Sequence, residues 1–168
     1  MKLKSILIFL FPLSLFAFTG CGIYSFSGAS IEGKTLNIHQ LENKARNVVP
    51  SLASSFTDML RSRILSQTGL SPDNKDDADY DMTGAITSYE VTVTGATSVQ
   101  VASTNRLTIS VQMTFKNRLN EKANFTETFT RFEDFPANQV LDNVQTTLIN
   151  DIGIQIADDI FNKAFVNW

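Results

Sequence analysis

One cysteine, Cys21, one histidine, His39, and four aspartates, Asp73, Asp76, Asp77 and Asp79, are the side chains whose types and spacing could do chemistry. A thiol can take an acyl group, an imidazole can carry a proton or hold a metal, and clustered carboxylates can bind calcium. His39 stands without a neighbouring Cys or His, and a zinc site needs several convergent ligands. The aspartates lack the loop glycine and terminal glutamate of an EF-hand, so they read as a solvated loop. Glu127 with Glu133 or Asp134 makes no supported catalytic pair. Nucleophile-elbow, Walker and zinc-protease motifs are missing, so the chain reads as a non-enzyme that needs no metal or cofactor.

Cys21 has a more specific context. Lys2 and Lys4 precede an apolar run, Ile6 to Phe18, interrupted by Pro12 and Ser14 and closed by Thr19 and Gly20. This is the layout of a secretory signal, and the run is short for a membrane-spanning helix. Phe18-Thr19-Gly20-Cys21 resembles a bacterial lipobox, with Phe where Leu is more usual. The expectation is a signal peptide over residues 1–20, cleavage before Cys21, and lipidation of Cys21 with two or more acyl chains that hold the protein at a membrane. A lone cysteine forms no internal disulfide, and lipidation accounts for it.

Basic side chains form a second set. Arg106, Lys116, Arg118, Lys122 and Arg131 fall on or beside two adjacent expected strands. Some of them could cluster near one sheet end and pair with the phosphates of a sugar lipid, although solubilising surface charge is the plainer reading. Without residues 1–20 the chain has 12 basic and 17 acidic side chains, a net charge of −5, which argues against nucleic acid as a partner.

The elements that must carry these residues follow from periodicity. The 168 residues suffice for one domain, expected over 35–168 behind a Gly/Ser-rich lipidated tether at 21–34. Thirteen Phe against three Tyr and one Trp make Phe a main supplier of core volume. Thr35 to Leu41 alternates as a short strand. Pro50-Ser51 opens a helix whose Leu52, Phe56, Leu60 and Ile64 sit four apart, and Gly69 ends it. Residues 71 to 79 read as a polar loop. Tyr80 to Val93 reads as a strand whose apolar phase slips at Ser88-Tyr89, the mark of a bulge. Residues 94 to 104 form a small-residue connection. Arg106 to Leu119 is the clearest strand, with Leu107, Ile109, Val111, Met113 and Phe115 on one side. Phe125 to Phe132 returns antiparallel with Phe125 and Phe129 inward, and Pro136 breaks it. A long helix from about Asn138 to Phe165 carries the i+4 row Val140, Val144, Leu148, Ile152, Ile156, Ile160 and Ala164. The order β-α-β-β-β-α predicts an α+β fold, with two helices on one face of a roughly four-stranded, mostly antiparallel sheet.

The other sheet face is then Thr108, Ser110, Gln112, Thr114, Thr126, Thr128 and Thr130. It can be a solvated face, or it can dock against a polar wall such as the lumen of an outer-membrane barrel.

Cys21-Gly22-Ile23-Tyr24-Ser25-Phe26-Ser27-Gly28, Asn105-Arg106-Leu107-Thr108-Ile109-Ser110-Val111 and the ending Asp159 to Trp168 together resemble the LptE family of lipopolysaccharide-assembly lipoproteins, in its Bacteroidetes form. That resemblance implies an outer-membrane lipoprotein on the periplasmic side. Such a protein sits inside the LptD barrel as a plug, in a 1:1 complex, and helps deliver lipopolysaccharide to the outer leaflet. In some members it implies direct lipopolysaccharide binding. A competing class is a free-standing periplasmic lipoprotein that carries lipid or regulates a cell-wall enzyme by contact, and a weaker one is a purely structural envelope lipoprotein.

Overall fold

The computed structural model describes residues 31–166 except 48, 76 and 95–103. Cys21, the expected signal peptide and most of the tether lie outside the described residues, as do Asp76 and the residues joining the two longest strands.

In chain order the elements are β1 (Thr35–Ile38), β2 (Glu42–Asn43), α1 (Leu52–Thr68), β3 (Ser71–Pro72), β4 (Tyr80–Thr94), β5 (Thr104–Asn117), a 3-10 turn (Glu121–Ala123), β6 (Phe125–Pro136) and α2 (Leu141–Phe165). They form a six-stranded sheet in the order β3-β1-β4-β5-β6, with β2 also on β4. The expected α+β class and the placement of both helices hold. The strand count rises from four to six through two-residue strands, one of them inside the stretch read as a polar loop. β1, β2 and β3 pair in parallel, whereas β4-β5-β6 is an antiparallel meander.

The period-2 pattern dictates the core. Leu107, Ile109, Val111, Met113 and Phe115 are fully buried on the helix side of β5. Met82, Ile86 and Tyr89 join them from β4, and the register shift between Ile86 and Ser88 supplies the expected bulge. Val91 and Val93 continue that side of β4 past the helices and are exposed. From above, α1 contributes Leu52, Phe56, Leu60 and Ile64, while α2 contributes Leu148, Ile152, Ile156 and Ile160. The ring of Phe115 is enclosed by Phe125, Phe165 and Tyr80 at centroid distances of 5.4, 5.5 and 5.8 Å.

Gly69 ends α1 at φ 65°, a left-handed cap that a side chain would strain. The helices run parallel. Met59 and Phe56 of α1 pack on Gly153 of α2, and one turn on Arg63 reaches Asp158 at 2.6 Å and lies over Phe161. The Arg63–Asp158 contact is an ion pair by distance, with the Arg63 N–H poorly aligned for a hydrogen bond.

α2 is pinned to β6 by a polar seam. Lys163 pairs with Glu127 at 2.8 Å, Arg131 holds Asp159 through two bonds of 2.6 and 2.7 Å, and Gln155 donates to Glu133 at 2.6 Å. Residues 155, 159 and 163 are one helical turn apart, so they present in a line to the odd-numbered side chains of β6.

The start of β1 is fastened by one carboxylate. Asp79 Oδ2 accepts the backbone N–H of Lys34 (2.7 Å) and of Thr35 (3.1 Å), and Thr35 Oγ1 accepts the Asp79 N–H in return. These bonds favour the charged form and hold the Asp79 carboxyl below the usual carboxylate range. A carboxyl depressed in the folded state stabilises the fold above its unfolded pKa, and that contribution is lost as pH falls through the folded value. The Asp79→Asn variant is therefore expected to lose melting temperature near neutral pH, and its decline between about pH 5 and pH 3 is expected to be shallower than that of the parent. Thermal melts across that range check it, and parallel declines would refute the assignment.

Candidate docking surface

Period 2 sends the even-numbered side chains of β5 and β6 away from the helices, and the register lines them up in rows across three strands. Thr83, Thr114 and Thr126 form one row, Ala85, Gln112 and Thr128 the next, and Ser88, Ser110 and Thr130 a third. All seven residues expected on this face lie on it: Thr108, Ser110, Gln112, Thr114, Thr126, Thr128 and Thr130. Gln112, Thr126, Thr128 and Thr130 are exposed, and Thr108, Ser110 and Thr114 are half-buried. Hydroxyls bond sideways within rows, Ser110 Oγ to Thr130 Oγ1 at 2.8 Å and Thr114 Oγ1 to Thr126 Oγ1 at 2.9 Å. Each hydroxyl has one donor and two acceptor sites, so these pairs retain capacity for an outside partner. A charge would be far more costly to desolvate than these groups, and the three central rows carry none on β4, β5 and β6, the second row meeting the exposed Glu42 where β2 joins β4.

Charge returns at both ends of the face. At one end His39 Nε2 lies 2.8 Å from Asp81 Oδ1 and 3.0 Å from Asn37 Nδ2. Among the described residues no group of three or more His, Cys, Asp or Glu side chains converges as a metal would require. At the other end the rows are Glu90, Thr108, Phe132 and then Thr92, Arg106, Asp134.

The five basic candidates separate. Arg106 grips Asp134 through Nε at 2.7 Å and Nη2 at 2.9 Å. The bonds hold the Asp134 carboxyl low and push the guanidinium up. Its guanidinium carbon sits 3.6 Å from the centroid of Phe132. Arg131 faces the opposite side of the sheet and is engaged by Asp159 on α2. Lys116 lies ten residues from Arg106 on the same strand, about 33 Å away at the rise of an extended chain. It shares its end of the sheet with Arg118, whose backbone N–H bonds Asp79, and with Lys122 in the 3-10 turn. Three of the five thus fall at one end, one at the other, and one under the helices. Alternation alone could have placed Arg131, since it shares parity with the inward Phe125 and Phe129. The same parity rule puts Phe132 with the threonines, which the reading of phenylalanine as core material missed.

The model of the LptE family, described as lipopolysaccharide-assembly, matches residues 33–164, a span that takes in every strand, α1 and all but the last residue of α2. The chain belongs to the LptE family. Solved structures of similar fold include a minor lipoprotein of Acinetobacter baumannii, 14% identical, with TM-score 0.50 over 77% of this chain and 91% of that one. The rare lipoprotein B of Shewanella oneidensis is also 14% identical, with TM-score 0.50 over 77% and 92%. A hypothetical protein of Chlamydia trachomatis is 8% identical, with TM-score 0.52 over 80% and 99%. At these identities the likeness is one of fold. No curated protein matches the sequence. Membership in LptE makes this an assembly protein for lipopolysaccharide, in a family that is not catalytic. Among the described residues no helix is long and apolar enough to cross a membrane.

Proposed function

We propose that the protein is exported behind residues 1–20 and acylated on Cys21, and that it is held by residues 21–34 at the periplasmic side of the outer membrane. There it seats its hydroxyl face against the lumen wall of an LptD-type barrel. The observation that carries this reading is the uncharged, hydroxyl-lined middle of β4-β5-β6, on a domain matched by the LptE model. Strands of outer-membrane barrels alternate apolar-out and polar-in, so a lumen offers such a face the hydrogen-bonding wall it fits. Tethering raises the effective concentration of the domain at the barrel. The role is non-catalytic: the domain fills the lumen, supports the barrel's fold and aids transfer of lipopolysaccharide outward. Lys116, Arg118 and Lys122, at the sheet end from which the N-terminal segment leaves, are the side chains best placed to meet the lipid's phosphates.

The test is co-expression with the LptD-type barrel of the same genome. Thr128→Glu and Gln112→Lys, made separately, each place a charge in the uncharged middle. Both are expected to cut the barrel recovered per lipoprotein at least about tenfold, because an unpaired charge is costly to bury. Their melting temperatures should stay near that of the parent, as both positions are exposed. Undiminished recovery with both variants would exclude this face as the docking surface.

A further inference from the structure

The hydroxyl face supplies many weak contacts and no obvious source of grip. A hydroxyl that bonds a partner gives up a comparable bond to water, so its net contribution is small. Strong interfaces concentrate their affinity in a few aromatic and arginine side chains that are ordered before binding. Among the described residues, Phe132 is the large apolar side chain that stands exposed on this face, at 48%. The other phenylalanines of β6 point to the helices: Phe129 and Phe135 are buried and Phe125 half-buried. Other exposed apolar residues lie elsewhere, Val91 and Val93 on the helix side of β4 and Ile154 on α2.

Phe132 is also held in place. Arg106 lies over its ring, and Asp134 fixes Arg106 through two bonds. We infer that Phe132, ordered by the Arg106 stack, is the anchor by which the hydroxyl face grips its protein partner, its ring entering an apolar notch of the partner's wall while the Arg106–Asp134 pair stays at the rim. This rests on the docking function proposed above. The chemistry favours a protein wall over a lipid phosphate. The Arg106 donors facing Asp134 are already engaged, and Glu90 occupies the same row as Phe132, so an anion would meet two carboxylates around one arginine.

The experiment uses the full-length lipoprotein co-expressed with its LptD-type barrel, followed by dissociation of the purified complex in detergent. Phe132→Ala is expected to speed dissociation about 30-fold, the range of an interface hot spot. Its melting temperature should be unchanged, and Phe132→Trp should restore slow release. Thr126→Ala, at the far end of the face, should change release less than about threefold. Unchanged release from the Phe132→Ala variant overturns the anchor. If the Thr128→Glu and Gln112→Lys variants still lose the barrel in that case, the docking surface stands and only the anchor fails. If none of the three matters, both fail. If Phe132→Ala alone matters, the anchor stands and the uncharged middle is not the contact.

Discussion

Replacing Cys21 by serine is expected to release the protein from the membrane altogether. One acyl chain gives only marginal binding, with an association constant on the order of 10⁴ M⁻¹, whereas two or more give stable anchoring. A serine hydroxyl does not offer the thiolate chemistry on which thioether attachment depends. The variant should therefore leave the carbonate-washed membrane pellet and appear in the soluble fraction or as uncleaved precursor. Its intact mass should lack the increment of acyl chains that the parent carries. The domain should keep its fold, since Cys21 lies outside the described domain and the core is built from residue 36 onward. Equal pelleting and equal mass in parent and variant would remove lipidation from the account. That would also remove the argument that confinement drives the barrel encounter.

The largest stability effect is expected at Phe115. Its side chain is fully buried and meets rings from β4, β6 and α2, so it joins the sheet to the helix layer at a single point. Truncating a buried Phe to Ala removes transfer energy and leaves a cavity, together about 3–5 kcal/mol. For a chain of this size that corresponds to a fall of about 10 °C or more in melting temperature. Urea unfolding of the mature protein at neutral pH measures it directly. Phe132 is the internal comparison, an aromatic only seventeen positions away whose removal should leave stability nearly untouched. A loss under about 1 kcal/mol at Phe115 would mean that the ring cluster is not where the two layers are joined.

Much of this architecture was legible in the sequence because it is written in period. The alternation of Leu107 to Phe115 placed β5 and both of its faces, the four-residue rows placed α1 and α2, and the phase slip at Ser88-Tyr89 located the bulge. Pairing direction was not legible. β1 lies beside β4 in parallel, bringing Leu36 to Tyr80 and Asn37 to Asp81, and no local pattern reports a neighbour 44 residues away. β6 runs to Pro136, past the expected end at Phe132, because the polar Arg131 and Glu133 interrupt its inward apolar row before the buried Phe135 resumes it. Glu133 lies beyond the expected strand, and it is a strand residue because α2 supplies Gln155 to receive it, as Asp159 receives Arg131. The docking face was legible as a row of hydroxyls. Its one aromatic was not singled out, since a Phe in a strand is more often core than contact.

The seam between β6 and α2 has a consequence for keeping the protein single. β6 ends the sheet among the described residues, and its twelve residues hold no internal proline and show no bulge in register with β5. Such a border invites a stray chain to add itself and start an aggregate. Glu127, Arg131 and Glu133 all lean inward along that border, so an incoming strand would have to strip water from three ionic or hydrogen-bonded groups at once. The contacts that fasten the helix thereby also guard the border, leaving the molecule approachable by its broad face rather than its rim.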